Sequence, residues 1–200
     1  YDFNRPRLYA FAGNGKGEEL AKNLGQKLSP DVQYYDVTKV TNYAALLEGI
    51  AKDEQLVITG GDGTLNRFAN DTAEISLDRQ ILYSPLGTGH DFARDVGQEA
   101  AEAPFDVTRY LQDLPTVEVK GKTYRFINGV GFGIDGYCCQ MGDEQKKIPG
   151  KKVNYTAIAI KGLLFFFNAR NAKVTVDGET FAYKKVWIAP TMYGCFYGGG

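Results

Sequence analysis

A chain of 200 residues with 44% hydrophobic and 24% charged residues and a formal net charge of −1 has the composition of a folded globular protein, long enough for one large domain or one domain and part of a second. That charge balance argues against a nucleic-acid partner, because a phosphate backbone selects for clustered Lys and Arg. Three cysteines without a CxxC pair and a single His argue against structural zinc.

The thiols read as free in a cytoplasmic protein, with one bridge to Cys195 left open. The opening Tyr1-Asp2-Phe3-Asn4-Arg5-Pro6 has neither the charged nor the apolar region of a signal peptide, and it lacks an initiating Met. The most apolar stretch, residues 157–167, is broken by Lys161 and falls short of the roughly 20 residues that cross a bilayer.

Residues 8–12 form a first apolar strand, followed by a turn through Gly13, Asn14, Gly15, Lys16 and Gly17 and a helix near 18–28. A second strand is expected at 32–37. Thr41 is placed to cap a helix carrying Ala44, Leu47 and Ala51, and residues 55–59 supply a third strand. That strand runs into Gly60-Gly61-Asp62-Gly63-Thr64, after which a helix is expected near 65–73, a strand at 80–83, and a second glycine turn through Pro85-Leu86-Gly87-Thr88-Gly89. Strands alternating with helices imply a parallel sheet covered on both faces, with ligands at the carboxyl ends of its strands.

The texture changes near Ala103-Pro104. Residues 116–120 and 124–130 read as a hairpin, residues 153–167 as a helix, and residues 173–176 and 181–189 as a second hairpin turning at Asp177-Gly178. The expected fold is α/β: an N-terminal parallel-sheet domain over 1–103, then a mainly antiparallel, β-rich second domain over 104–200.

Gly60, Gly61 and Gly63 frame Asp62 between an apolar strand and a helix. Glycines let backbone N–H groups turn toward an anion, and the helix start adds unpaired donors and a positive dipole end. A carboxylate in such a nest repels phosphate unless a metal lies between them. Asp62 therefore points to a metal-bridged nucleotide and to phosphotransfer.

GGDGTLN followed by SPLGTGHDFAR resembles the catalytic-domain signature of the diacylglycerol kinase and sphingosine kinase superfamily, whose first motif is shared with NAD kinases. Residues 127–133 (INGVGFG) and the closing Tyr197-Gly198-Gly199-Gly200 look like further landmarks of that family. The resemblance implies ATP and Mg²⁺ as cofactors and a lipid alcohol as acceptor. It implies that Gly60, Gly61, Asp62, Gly63, Thr64, Asn66 and Arg67 hold the nucleotide together with Thr41, Gly87, Thr88 and Gly89. Gly13, Asn14 and Gly15 stand where the family has an Asn-Pro-x-x-Gly turn, without its proline. Asp62, Asp91 and Asp106 match the carboxylates around magnesium, Asp62 being the catalytic organiser of phosphate and metal.

Two residues depart from the pattern. His90 replaces the usual Asn of GTGND, and Arg67 replaces a Glu, where it can meet a phosphate or pair with Asp71 at i,i+4. In the family the acidic general base lies beyond the Tyr-Gly-Gly-Gly segment, so it is expected past Gly200, in a longer protein. The expected partners are a nucleotide and a lipid alcohol, with peripheral membrane contact and a homodimer both open. Lys146, Lys147, Lys151 and Lys152 beside the apolar 153–167 helix motivate the membrane contact. The alternatives are an NAD kinase-like phosphotransferase and a catalytically silent nucleotide-binding regulatory protein. Residues 131–136 fit GxGxxG, but the charged, Cys-bearing continuation argues against a Rossmann site, and the GxxxxGK[ST] of a P-loop is missing.

Overall fold

The computed structural model describes residues 7–11, 32–37, 39–52, 54–86, 90–99, 103–148 and 153–198. The expected turn at 13–17 and helix near 18–28 lie outside them. Contacts divide the chain into two units, residues 1–128 with 193–200, and residues 129–192.

The first unit is built on a five-stranded sheet of β1 (Arg7–Phe11), β2 (Val32–Asp36), β3 (Gln55–Gly60), β4 (Ile81–Pro85) and β5 (Phe105–Asp106). Its order is β2-β1-β3-β4-β5, the first four strands parallel and β5 antiparallel to β4. Leu56, Val57 and Ile58 of β3 and Ile81, Leu82 and Tyr83 of β4 are buried. Strands covered on both faces read as unbroken apolar runs, which is why both were visible without alternation.

Helices α1 (Tyr43–Glu48) and α2 (Asp62–Asp71) add Tyr43, Leu47, Leu65, Phe68 and Ala69 to the same core. Two short helices follow, α3 (Asp91–Asp95) and α4 (Thr108–Gln112). The ring of Tyr83 lies edge-on to both Phe92 and Phe105, with centroids 6.1 and 5.7 Å away, the arrangement that aromatic quadrupoles favour. The cap of α1 is Asn42, not Thr41: its Oδ1 accepts the Ala45 N–H at 3.0 Å while Thr41 stays exposed. A short amide side chain meets an unpaired helix-start N–H with little rotamer cost.

The sequence places a domain boundary at 103, whereas the division by contacts falls after Asn128. Residues 104–128 stay with the first unit because β5 extends its sheet and because the hairpin of β6 (Thr116–Val119) and β7 (Lys122–Arg125) is tied to α2. The Asn70 carboxamide accepts the Arg125 N–H at 2.9 Å and donates to the Arg125 carbonyl at 2.9 Å and the Asn66 carbonyl at 2.8 Å. One side chain thereby serves as a strand partner for Arg125. Residues 193–198 return to the same unit: the Tyr193 and Gly194 N–H groups donate to the Asn128 carbonyl at 2.8 and 3.0 Å, and the Cys195 N–H donates to Asp95 Oδ1 at 2.7 Å.

The second unit is mainly antiparallel. β8 (Gly129–Gly133) pairs with β11 (Ile188–Met192), and β9 (Arg170–Val176) pairs with β10 (Glu179–Val186). The β9–β10 turn falls at Asp177-Gly178, both at positive φ (51° and 86°), as an Asp-Gly hairpin requires. Helix α5 (Ile134–Lys146), read in the sequence as a charged stretch, follows β8 directly. Among the described residues β8 pairs only with antiparallel β11, and no parallel β-α-β arrangement surrounds the GxGxxG residues there. α6 (Tyr155–Lys161) continues into a π-helical turn, Gly162–Phe166, in line with the expected 153–167 helix. Among the described residues no helix is long and apolar enough to cross a membrane.

Removing the Asn70 amide strands the backbone groups of Arg125. Asn70→Ala is expected to lower the unfolding free energy by about 2 kcal/mol, measured by urea denaturation. Asn70→Asp, which loses both donors, should be at least as damaging.

Candidate functional site

β3 and β4 pair so that Gly60 lies opposite Pro85, which ends both strands at one level of the sheet. Gly61 and Leu86 therefore leave the sheet at the same end. Gly60 has φ 152°, and a Cβ there would lie 2.5 Å from Thr64 Oγ1, so glycine is required both by conformation and by space. Its carbonyl accepts two hydrogen bonds, from the Leu86 N–H at 2.9 Å and from the buried Tyr83 hydroxyl at 2.9 Å. Burial, and then the charge of Asp62, push the Tyr83 hydroxyl pKa upward, so it stays a donor. Helix α2 starts at Asp62, three residues before its expected start, with Gly61 as an extended cap.

Asp62 thus occupies the positive end of a ten-residue helix. Its Oδ2 accepts the Asp91 N–H at 2.9 Å. Its Oδ1 is buried and has no hydrogen-bond partner among the described residues, and the same holds for His90 Nδ1. Burial raises the carboxyl above the ordinary Asp range, with the Asp91 charge adding to it, against the opposing pull of the Asp91 and Phe92 N–H groups and of His90. A buried carboxylate oxygen without a donor is a costly group in isolation. A cation or a protonated ligand group is what would satisfy it.

Asp62 and Asp91 come together; Asp106 does not join them. Asp106 lies opposite Leu82, toward the far end of β4 from Pro85, where it accepts from Gln80 Nε2 at 2.9 Å and the Thr108 N–H at 2.8 Å. Burial raises its carboxyl, but these hydrogen bonds outweigh it and leave the pKa below the usual range. Its position is that of a turn-forming residue at the start of α4, and among the described residues no three His, Cys, Asp or Glu side chains converge on a metal position.

Arg67 and Asn66 have partners within the protein. Arg67 pairs with Asp71 at 3.2 Å on the surface of α2, the i,i+4 arrangement the sequence allowed. Asn66 Oδ1 accepts the Ile127 N–H at 3.2 Å, which makes it a tie between α2 and the strand exit. Gly63 and Thr64 lie in the first turn of α2, with open space beside Gly63. Thr41 lies in the bend before α1. Gly13, Asn14, Gly15, Gly87, Thr88 and Gly89 lie outside the described residues. Tyr83, missed in the sequence because it sits inside an apolar strand, is the side chain that fixes the Gly60 carbonyl.

Two measurements test this geometry. A carboxyl whose folded pKa exceeds its unfolded value stabilises the fold below the unfolded carboxylate range, and that contribution is lost as pH rises through the raised value. Asp62→Asn, which keeps an acceptor for Asp91, is expected to raise the melting temperature at neutral pH, with the gain vanishing in acid. Gly60→Ala is expected to cost about 1–3 kcal/mol through backbone strain and contact with Thr64, read by denaturant unfolding.

The diacylglycerol kinase catalytic domain family matches residues 9–117. A Bacillus subtilis protein named "Putative lipid kinase YtlR" is 25% identical over 167 residues, covering 74% of this chain and 52% of that protein. A Pseudomonas syringae pv. tomato protein named "Probable lipid kinase YegS-like" is 31% identical over 141 residues, covering 67% of this chain and 43% of that one. The chain thus spans about half the length of the curated relatives it matches. A solved structure titled "A putative diacylglycerol kinase from Bacillus anthracis str. Sterne" superposes with a TM-score of 0.60 at 21% identity, over 98% of this chain and 68% of that one, a likeness of fold. With the family match covering more than half of the chain and Asp62 at the head of α2, the chain belongs to the diacylglycerol kinase catalytic domain family.

Proposed function

We propose that the protein is an ATP-dependent lipid kinase that transfers the γ-phosphate to a lipid hydroxyl such as that of diacylglycerol. The observation that carries this reading is the buried Oδ1 of Asp62, without a hydrogen-bond partner among the described residues, at the positive end of α2 and beside the carboxyl ends of β3 and β4. Family membership supports the class of reaction, and the acceptor follows from the names of the relatives.

Asp62, with Asp91 adjacent, would hold a divalent cation, whose remaining ligands come from phosphate oxygens and water as magnesium prefers. When bound, that ion neutralises phosphate charge. The protein's own part is positioning. The N–H groups at the start of α2 face an anion, and the Tyr83 hydroxyl keeps the Gly60 carbonyl turned away from the phosphates. The acceptor hydroxyl forms a P–O bond to the γ-phosphorus as the bond to ADP breaks, and its proton passes to a base or to solvent. The domain division would follow the same logic, the first unit carrying the nucleotide.

Radiolabelled phosphate transfer from ATP to a panel of lipid alcohols, with the full-length protein, tests the reading. Transfer to at least one lipid, reduced at least about 100-fold by Asp62→Ala, is expected. Undiminished transfer by the variant, or labelling of NAD in place of every lipid, would overturn it.

A further inference from the structure

His90 replaces the Asn of the family pattern at the N-cap of α3, yet its side chain makes no capping hydrogen bond, the ordinary structural task of a polar residue there. The main chain is fixed without it. The His90 carbonyl accepts the Arg94 N–H at 2.9 Å, and the next N–H, that of Asp91, donates to Asp62 Oδ2 at 2.9 Å. This second bond sets the His90–Asp91 peptide against the Asp62 carboxylate. Nδ1 is the ring nitrogen nearer the main chain, and it is buried with no hydrogen-bond partner among the described residues, as is Asp62 Oδ1. Against the upward push of burial, charge on the His90 ring pulls the Asp62 carboxyl pKa down, so the two side chains lie within electrostatic reach. An imidazole nitrogen and a carboxylate oxygen are thus buried beside one peptide group, and neither satisfies the other. Each is costly to leave unpaired. A hydrogen-bond donor would serve one of them, whereas a cation accepts electron pairs from both.

We propose that His90 Nδ1 and Asp62 Oδ1 are joint ligands of the divalent cation, and that this mixed nitrogen and oxygen pair selects a first-row transition ion such as Mn²⁺ or Co²⁺ over Mg²⁺. The inference rests on the reading of Asp62 as the residue that holds the cation. Mg²⁺ is a hard ion that dehydrates reluctantly and takes oxygen ligands, whereas the first-row transition ions accept imidazole readily. An Asn side chain offers a cation only its amide oxygen; His90 puts a softer donor in that place. Phosphate oxygens and water complete the coordination. Two protein donors then suffice, in keeping with the absence of a three-residue His, Cys, Asp or Glu cluster among the described residues.

The experiment titrates Mn²⁺ and Mg²⁺ into the full-length protein with a non-hydrolysable ATP analogue, Mn²⁺ by its EPR signal and Mg²⁺ by competition. Electron spin echo envelope modulation then reads the nitrogen coupled to bound Mn²⁺, in protein with ordinary histidine and with histidine labelled with heavy nitrogen. Bound Mn²⁺ is expected to show a coupling that changes with the label. His90→Asn should abolish that coupling and lower the ratio of Mn²⁺ to Mg²⁺ affinity about tenfold, and Asp62→Asn should weaken both ions. The coupling is read on the unmutated protein, so it decides the matter even where a variant fails to fold. Bound Mn²⁺ without histidine coupling, or an affinity ratio that folded His90→Asn leaves unchanged, overturns this inference while the kinase reading stands. Binding of neither ion, or binding that folded Asp62→Asn does not weaken, overturns the cation reading of Asp62 along with it.

Discussion

The candidate site depends on one alignment: β3 and β4 end at the same level, and the carbonyl that closes β3 is held there. Gly60 lies opposite Pro85, and its oxygen takes hydrogen bonds from the Leu86 N–H and the Tyr83 hydroxyl. Everything that follows inherits this geometry. Because the carbonyl is committed inside the sheet, the chain after it can enter α2 at once, which places Asp62 on the first turn. A slip of one residue between the strands would turn Tyr83 to the other face of the sheet, and the clamp would be lost.

Burying a carboxylate at that point has a cost, and the fold offsets part of it. The Asp91 N–H and the helix dipole favour the charged form, while burial opposes it and wins. A residue that raises its own pKa by its position contributes little to stability and much to recognition. The contrast with Asp106 is instructive. That carboxylate accepts hydrogen bonds from Gln80 and Thr108 and sits below the ordinary range.

The parallel sheet was legible because β3 and β4 are apolar runs closed by Gly60 and Pro85, and the Asp177-Gly178 hairpin because its turn admits few other residues. Helix α5 was not legible, since its weakly amphipathic sequence gives no clear apolar face. Asp62 stands at the head of α2 with one buried carboxylate oxygen, while Asn66 and Arg67, grouped with it by the family resemblance, have their hydrogen bonds with Ile127 and Asp71. Side chains on successive helical positions point about 100° apart, so a contiguous motif cannot have all its members in one site. Asn70 and Tyr83 carried no motif; their roles arise from partners 55 and 23 residues away, which no local pattern records.

The division into two units also changes the meaning of the overall charge. Residues 129–192 carry nine Lys and Arg against five Asp and Glu, and the first unit carries 14 against 19. A net charge of −1 is thus a difference between two unlike units, not the mark of an electrically bland protein. Such a chain should be retained by both cation and anion exchangers near neutrality, and its solubility should follow ionic strength more closely than distance from its isoelectric point.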